Sequence, residues 1–192
     1  MPRRAGAAAA GEEVLSAFSA VREGLERFLR RFEAHLSGGE SSPSLLLWSL
    51  FTRTSARNVF RCRVVGIADG AVNAEVVLAL TDEVRISAVV TRRSVVELGL
   101  ASGKEVFALI KASFVILAAE AEPGRFSARN CLPGIIAARE DGAVSSEFVM
   151  DIGEGRSVTA IVTRQSAQEL GLREGDRALA LIKASHVILA VA

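Results

Sequence analysis

The chain repeats itself once. Ser55-Ala56-Arg57-Asn58 recurs as Ser127-Ala128-Arg129-Asn130, Asp69-Gly70-Ala71-Val72 as Asp141-Gly142-Ala143-Val144, and Leu109-Ile110-Lys111-Ala112-Ser113 as Leu181-Ile182-Lys183-Ala184-Ser185. All three keep one offset of about 72 residues without a gap, and about 30 of some 66 aligned positions are identical. So long a period, present in two copies only, is a tandem duplication of a whole domain rather than a solenoid. At about 65 residues each copy is short of core on its own, so the copies are expected to pair, within the chain or between chains.

Within a copy the pattern is β-rich. Val59 to Ile67, Ala71 to Leu80 and Glu83 to Val90 are β-branched runs separated by the turn residues Asp69-Gly70 and Thr81-Asp82, which predicts a three-stranded meander. Thr91 to Gly99 then reads as a short helix, with Thr91 as N-cap, Val95 and Leu98 on one face and Gly99 past the C-cap. Glu105 to Ile110 and Phe114 to Ala118 are two more strands, interrupted at Lys111-Ala112-Ser113. Five strands with a helix between the third and the fourth is the element order of an OB-like barrel. The predicted class is therefore mainly β: two tandem OB-like five-stranded barrels, over residues 55–122 and 127–192.

The segment ahead of the repeats differs in kind. Residues 1–11 are Ala-rich and expected to be disordered. Across residues 12–36, Val14, Phe18, Val21, Leu25, Phe28 and Phe32 alternate at spacings of about four and three, the a/d pattern of a helix that packs against another helix, so a dimerisation helix is expected. Residues 37–54 hold a Gly/Ser/Pro-rich linker, Ser37 to Ser44, and an apolar stretch, Leu45 to Phe51, expected to dock on the first barrel.

Composition narrows the function. With 23 Lys+Arg against 22 Asp+Glu the chain has no basic excess to neutralise phosphates, and 5% aromatic residues with no Tyr leave few rings for base stacking, which argues against nucleic-acid binding. No apolar run reaches the roughly 18 residues a membrane helix needs, and the Ala-rich start lacks the bulky centre of a signal peptide, so a cytoplasmic protein is expected. Cys62 and Cys131 lie far apart without a C-x-x-C, which suggests neither zinc site nor disulfide; both are expected to be buried strand residues. His35 and His186 have no counterpart in the other copy, Phe114 standing where the second copy has His186, and neither is read as a ligand.

A duplication lets the chain be read against itself, and three polar clusters persist in both copies. They are Ser55, Arg57 and Asn58 with Ser127, Arg129 and Asn130; Thr91 and Ser94 with Thr163 and Ser166; and Lys111 and Ser113 with Lys183 and Ser185. Arg and Lys bring positive charge, Ser and Thr bring hydroxyl donors, and a helix start brings backbone N–H groups, all suited to a small oxyanion. No carboxylate, His or Cys recurs within the clusters, so the acid-base pair or activated nucleophile of an enzyme is missing from them. Each cluster also has a plainer reading. Thr91 and Thr163 serve equally well as N-caps, worth about 1 kcal/mol each; Ser55 and Arg57 could close a barrel end, and Lys111 could be an exposed inter-strand cation. Asp69 and Asp141, each before Gly, read as turn residues.

The same motifs carry a resemblance. Ser-Ala-Arg-Asn opening a domain, Thr-x-x-Ser followed by Leu-Gly-Leu-x-x-Gly, and Lys-Ala-Ser followed by Val-Ile-Leu-Ala resemble the signature of molybdate-binding Mop domains, the molbindins of the TOBE superfamily, over about residues 53 to 192. The resemblance implies OB-like five-stranded barrels that pair with strand exchange, with molybdate or tungstate at interfaces between domains. Carried over, Ser55, Arg57 and Asn58 of one domain meet Thr91, Ser94, Lys111, Ala112 and Ser113 of a neighbour. Ser127, Arg129, Asn130, Thr163, Ser166, Lys183, Ala184 and Ser185 supply the same set from the second copy.

Trp48-Ser49-Leu50 through Asn58 is also similar to the junction ahead of the tandem Mop pair in ModE-type molybdate-responsive regulators. The ~50 residues before the repeats offer too few elements for their winged helix-turn-helix. The function implied is molybdate binding for storage, buffering or homeostasis, without catalysis, organic cofactor or metal ligated directly by protein atoms. The alternative implied is a molybdate sensor acting through its helix on a partner such as a DNA-binding homologue. Expected partners are the oxyanion and further copies of the chain, as dimer or trimer, with no membrane and no nucleic acid. A third reading, an OB-type interaction module without an anion, stays open on the residues alone.

Overall fold

Alternation sets the strands and the repeated turns punctuate them. The computed structural model describes residues 54–119 and 126–191; the dimerisation helix and the docking stretch to residue 53 lie outside the described residues. The first copy forms β1 (Asn58–Asp69), β2 (Asn73–Ala79), β3 (Arg85–Thr91), α1 (Arg92–Glu97), β4 (Glu105–Ile110), a 3-10 turn (Ala112–Phe114) and β5 (Ile116–Ala119). The second repeats this as β6 (Asn130–Asp141), β7 (Ser145–Gly153), β8 (Arg156–Thr163), α2 (Arg164–Leu170), β9 (Arg177–Ile182), a 3-10 turn (Ala184–His186) and β10 (Ile188–Ala190). In β2, Ala74, Val76 and Leu78 point inward and their neighbours outward, the period-2 pattern of a sheet with one covered face. In β4 every residue from Val106 to Ile110 is buried, which is why that strand is an unbroken apolar run.

The two helices start and stop where the sequence places their signals. The Thr91 hydroxyl accepts from the Ser94 N–H at 3.0 Å and the Thr163 hydroxyl from the Ser166 N–H at 3.1 Å. At the other end Gly99 and Gly171 take φ of +56° and +62°, a left-handed conformation that glycine adopts without a Cβ clash. β1 and β6 each carry an irregularity in register, between Val64 and Gly66 and between Ile136 and Ala138. A bulge at the same place in both copies bends a 12-residue strand so that its first half pairs with one neighbour and its second half with another.

The sheets do not follow the order of the chain. One runs β10-β4-β1-β2-β3 and the other β5-β9-β6-β7-β8, each five-stranded and antiparallel, so the copies exchange their last strands. Ile188, Leu189 and Ala190 pair with Leu109, Ala108 and Phe107, while Ile116 to Ala119 pair with Leu181 to Ala178. Because both copies end in the same Val-Ile-Leu-Ala segment, each last strand fits its neighbour's sheet as well as its own. Leu117 and Leu189 are thereby buried at 5% and 8% exposure, so each barrel is completed by the other copy. This is how two copies short of core become one stable body.

One expectation fails. Cys62 is buried as expected, but Cys131 is exposed. The reason is parity: Asn130 and Leu132 point inward, so Cys131 between them must point out, whereas Cys62 shares its inward face with Phe60 and Val64. Burial pushes the Cys62 thiol up to about 12, only partly offset by the charge of Arg156 and a backbone hydrogen bond at Ala108.

Candidate functional site

The threonine that caps each helix does more than cap. Thr91 Oγ1 lies 2.8 Å from Ser94 Oγ, and Thr163 Oγ1 lies 2.8 Å from Ser166 Oγ. In each pair one hydroxyl donates to the other, and the threonine oxygen also accepts from the serine backbone N–H. One hydroxyl proton per pair is left over, able to donate outward. The caps thus occupy part of the helix-start N–H set that the sequence offers to an anion and hand a hydroxyl donor in its place.

Strand exchange then brings the third cluster to the second. The turn Ala184–His186 packs on β3, and the turn Ala112–Phe114 packs on β8. Thr91 and Ser94 of the first copy and Ser185 of the second line one open cleft of about 390 Å³ whose remaining wall, apart from Asn73, is apolar: Val89, Val90, Leu98, Val187, Ile188 and Leu189. Lys111, Ser113, Lys183 and Ser185 are exposed, while Ala112 and Ala184 are buried and anchor their turns. At the contact of the two turns the rings of Phe114 and His186 stand 4.6 Å apart, and Lys111 Nζ lies 6.0 Å from the Phe114 ring centre. His186 Nδ1 is buried without a hydrogen-bond partner.

The first cluster crosses between the copies as well. Asn130 Nδ2 donates to Ser87 O at 2.9 Å while Ser87 N donates to Asn130 Oδ1 at 2.6 Å. Asn58 does the same with Thr159, at 2.9 Å and 2.7 Å. Each amide acts as an extra peptide unit on a strand of the opposite sheet, and both asparagines are buried. This engages the acceptor and one N–H of each amide, leaving at most one N–H for any other partner. Because Asn130 pairs with Ile182, the Ser-Ala-Arg-Asn and Lys-Ala-Ser segments of one copy sit side by side, and both face the other copy's threonine-serine strand. The carried-over grouping instead places Lys-Ala-Ser with the threonine and serine of the same domain; within this chain, strand exchange pairs each turn with the opposite copy.

Two carboxylates belong to this arrangement that the donor motifs do not include. Arg129 Nε lies 2.9 Å from Glu75 Oε1, and Arg57 Nη2 lies 3.8 Å from Glu147 Oε2. Arg129, and secondarily Ser87, hold the Glu75 carboxyl below the usual glutamate range. A signal for them exists in the sequence: Glu75 and Glu147 recur at the same offset as the motifs, between clusters rather than inside one. Ser55 and Ser127 open the cluster at exposed positions. Among the described residues no group of three or more His, Cys, Asp or Glu is placed to hold a metal ion. Among them, too, no helix is long and apolar enough to cross a membrane.

Tandem barrels completed by each other's last strand, with donors from both copies facing one cleft, define a class. The TOBE domain family matches residues 54–117 and 127–189, and the chain belongs to that family. It is 52% identical over 182 residues to the molybdenum-pterin-binding protein MopA of Rhodobacter capsulatus, covering 95% of this chain and 68% of that protein. It is 42% identical to MopB of the same organism, covering 95% and 66%, so the chain spans about two thirds of the length of these relatives. A solved structure of the cytoplasmic molybdate-binding protein ModG with molybdate bound is 45% identical and superposes with a TM-score of 0.71, covering 73% of this chain and 100% of that one.

Proposed function

We propose that this protein binds molybdate, or the isosteric tungstate, in the cytoplasm, for storage and buffering, at sites built where TOBE copies meet. The observation that carries the reading is the shared cleft, which Thr91 and Ser94 of one copy line together with Ser185 of the other, on the turn that Lys183 opens. The similarity to ModG, whose solved structure holds molybdate on the same fold, supports it. Ser55, Arg57, Asn58, Ser127, Arg129 and Asn130 complete the proposed set, with the asparagines holding the walls of the site rather than its ligand. Thr163, Ser166, Lys111, Ala112 and Ser113 form the second site on the same plan.

The chemistry follows from the donors. A tetrahedral dianion is neutralised by Lys and Arg and caged by hydroxyl and backbone N–H groups, all of which donate. Sulfate, being smaller, leaves some donors unpaired inside the cage, and once a further copy closes the exposed rim each donor so left costs about 1–3 kcal/mol. Phosphate retains a proton near neutral pH that finds no acceptor among the donors. The chain holds its ligand without transforming it, and the exposed rims of both sites suit completion by a further copy in a homo-oligomer. Calorimetric titration of anion-free protein with molybdate tests this, with sulfate and phosphate run in parallel at one ionic strength. Saturable molybdate uptake that excess sulfate does not displace is expected; absence of heat and of competition would leave an OB-type interaction module.

A further inference from the structure

The two carboxylates that the function does not use are placed to control it. We propose that Glu75 and Glu147 are restraining counter-charges of the anion sites: each competes with the bound anion for an arginine contributed by the opposite copy. This rests on the oxyanion reading above and adds to it the residue that sets affinity. Glu75 lies opposite Val89 in the β2–β3 ladder, two residues from Asn73, which lies opposite Thr91. Side chains on one face of an antiparallel pair stand about 5 Å apart across the ladder, so Glu75 shares the outer face with the cleft residues Asn73, Val89 and Thr91. Its contact with Arg129 therefore holds the guanidinium on that same outer face, next along β2 from the cleft residue Asn73.

The competition follows from how a guanidinium binds. Its Nε–H and one terminal N–H form a fork that grips two oxygens of an oxyanion. In the first pair Glu75 occupies Nε, so that fork is closed to a second anion until the carboxylate gives way. The arginine and glutamate side chains are 66% and 33% exposed, so exchange for a dissolved anion meets little steric obstacle. In the second pair Glu147 stands 3.8 Å from a terminal nitrogen of Arg57 and leaves its Nε unengaged by that carboxylate. The two sites of one chain are thus inequivalent, the Arg57 site being the less restrained. A plain inter-copy ion pair makes no such distinction, since its only role is to hold the copies together.

Molybdate titrations of wild type, Glu75→Gln, Glu147→Gln and the double variant, at low and high salt, test the proposal. Glutamine keeps an oxygen for the arginine N–H and removes the charge. Removing one like charge beside a dianion at this exposure is expected to tighten binding by about three- to tenfold at low salt, an advantage that shrinks as salt is added. Glu75→Gln is expected to produce the larger gain, and Glu75→Asp, which keeps the charge but draws it one methylene back from Arg129, a smaller gain than Glu75→Gln. Unchanged or weaker binding in a folded double variant would overturn the proposal, as would a gain insensitive to salt. Failure of the wild type itself to bind molybdate would instead refute the oxyanion reading, so the two failures are told apart within one experiment.

Discussion

Replacing Asn130 by alanine removes the partner of two backbone groups at once. Ser87 N–H and Ser87 C=O both lose their hydrogen bonds, in a place where Asn130 and Ser87 are 3% and 7% exposed and water cannot substitute. An unsatisfied buried polar group costs about 1–3 kcal/mol, so Asn130→Ala is expected to destabilise the folded unit by roughly 2–5 kcal/mol. For a domain of this size that is a fall in Tm of roughly 5–15 °C. Asn58→Ala removes the equivalent bonds to Thr159, which is only part-buried, and is expected to cost roughly 1–2 kcal/mol. Asn130→Asp offers a sharper control: one oxygen still accepts from Ser87 N–H, but the other faces the Ser87 carbonyl with negative charge, so the loss should equal or exceed that of alanine. Urea titration followed by circular dichroism measures all three. An Asn130→Ala variant within about 0.5 kcal/mol of wild type, or a larger loss in Asn58→Ala, would refute the clamp.

Other consequences are as direct. In the native protein one cysteine, Cys131, should react with a maleimide at neutral pH while Cys62 stays protected until unfolding, which mass spectrometry of the labelled peptides reads. A Cβ at Gly134 would meet Asp151 O at 2.3 Å and Met150 Cγ at 2.9 Å, so Gly134→Ala should destabilise by about 1–3 kcal/mol in a thermal melt. Truncation before Ile188 should increase hydrogen exchange at Phe107 to Leu109 in the first copy, because β10 pairs there, and leave β9 in its own copy better protected. As pH falls into the acidic range the Glu75–Arg129 link should be lost, which a chemical-shift titration of the glutamate carboxyl follows. That carboxyl is depressed in the folded state, so the stability it adds is present above the ordinary glutamate value and disappears as pH drops through the lower, folded one.

Local signals in the sequence account for much of this architecture. The Thr91 cap, Gly99 and the apolar run Glu105 to Ile110 are such signals, and the helix and β4 fall where they place them. What depends on residues far apart is not legible from local pattern. Val-Ile-Leu-Ala reads as a strand in either copy, but nothing in those four residues says which sheet takes it; the expectation of strand exchange comes only from the family resemblance. Asn58 reads as a donor beside Arg57, and its actual partner, Thr159, is 101 residues away. The exposure of Cys131 follows from the inward parity of its neighbours, a rule that outweighs the general preference of cysteine for burial. Glu75 and Glu147 are visible in the repeat but fall between motifs chosen for donors.

On the function proposed here, an oxyanion is held in the cleft where the two copies meet. Diffraction from crystals grown with molybdate, recorded at the molybdenum absorption edge, tests it most directly. Anomalous peaks are expected where an oxyanion centred on them would bring its oxygens within hydrogen-bond distance of the Thr91–Ser94 pair and the Ser185 turn, and of the Thr163–Ser166 pair and the Ser113 turn. Peaks elsewhere on the surface, or none at saturating molybdate, would contradict it.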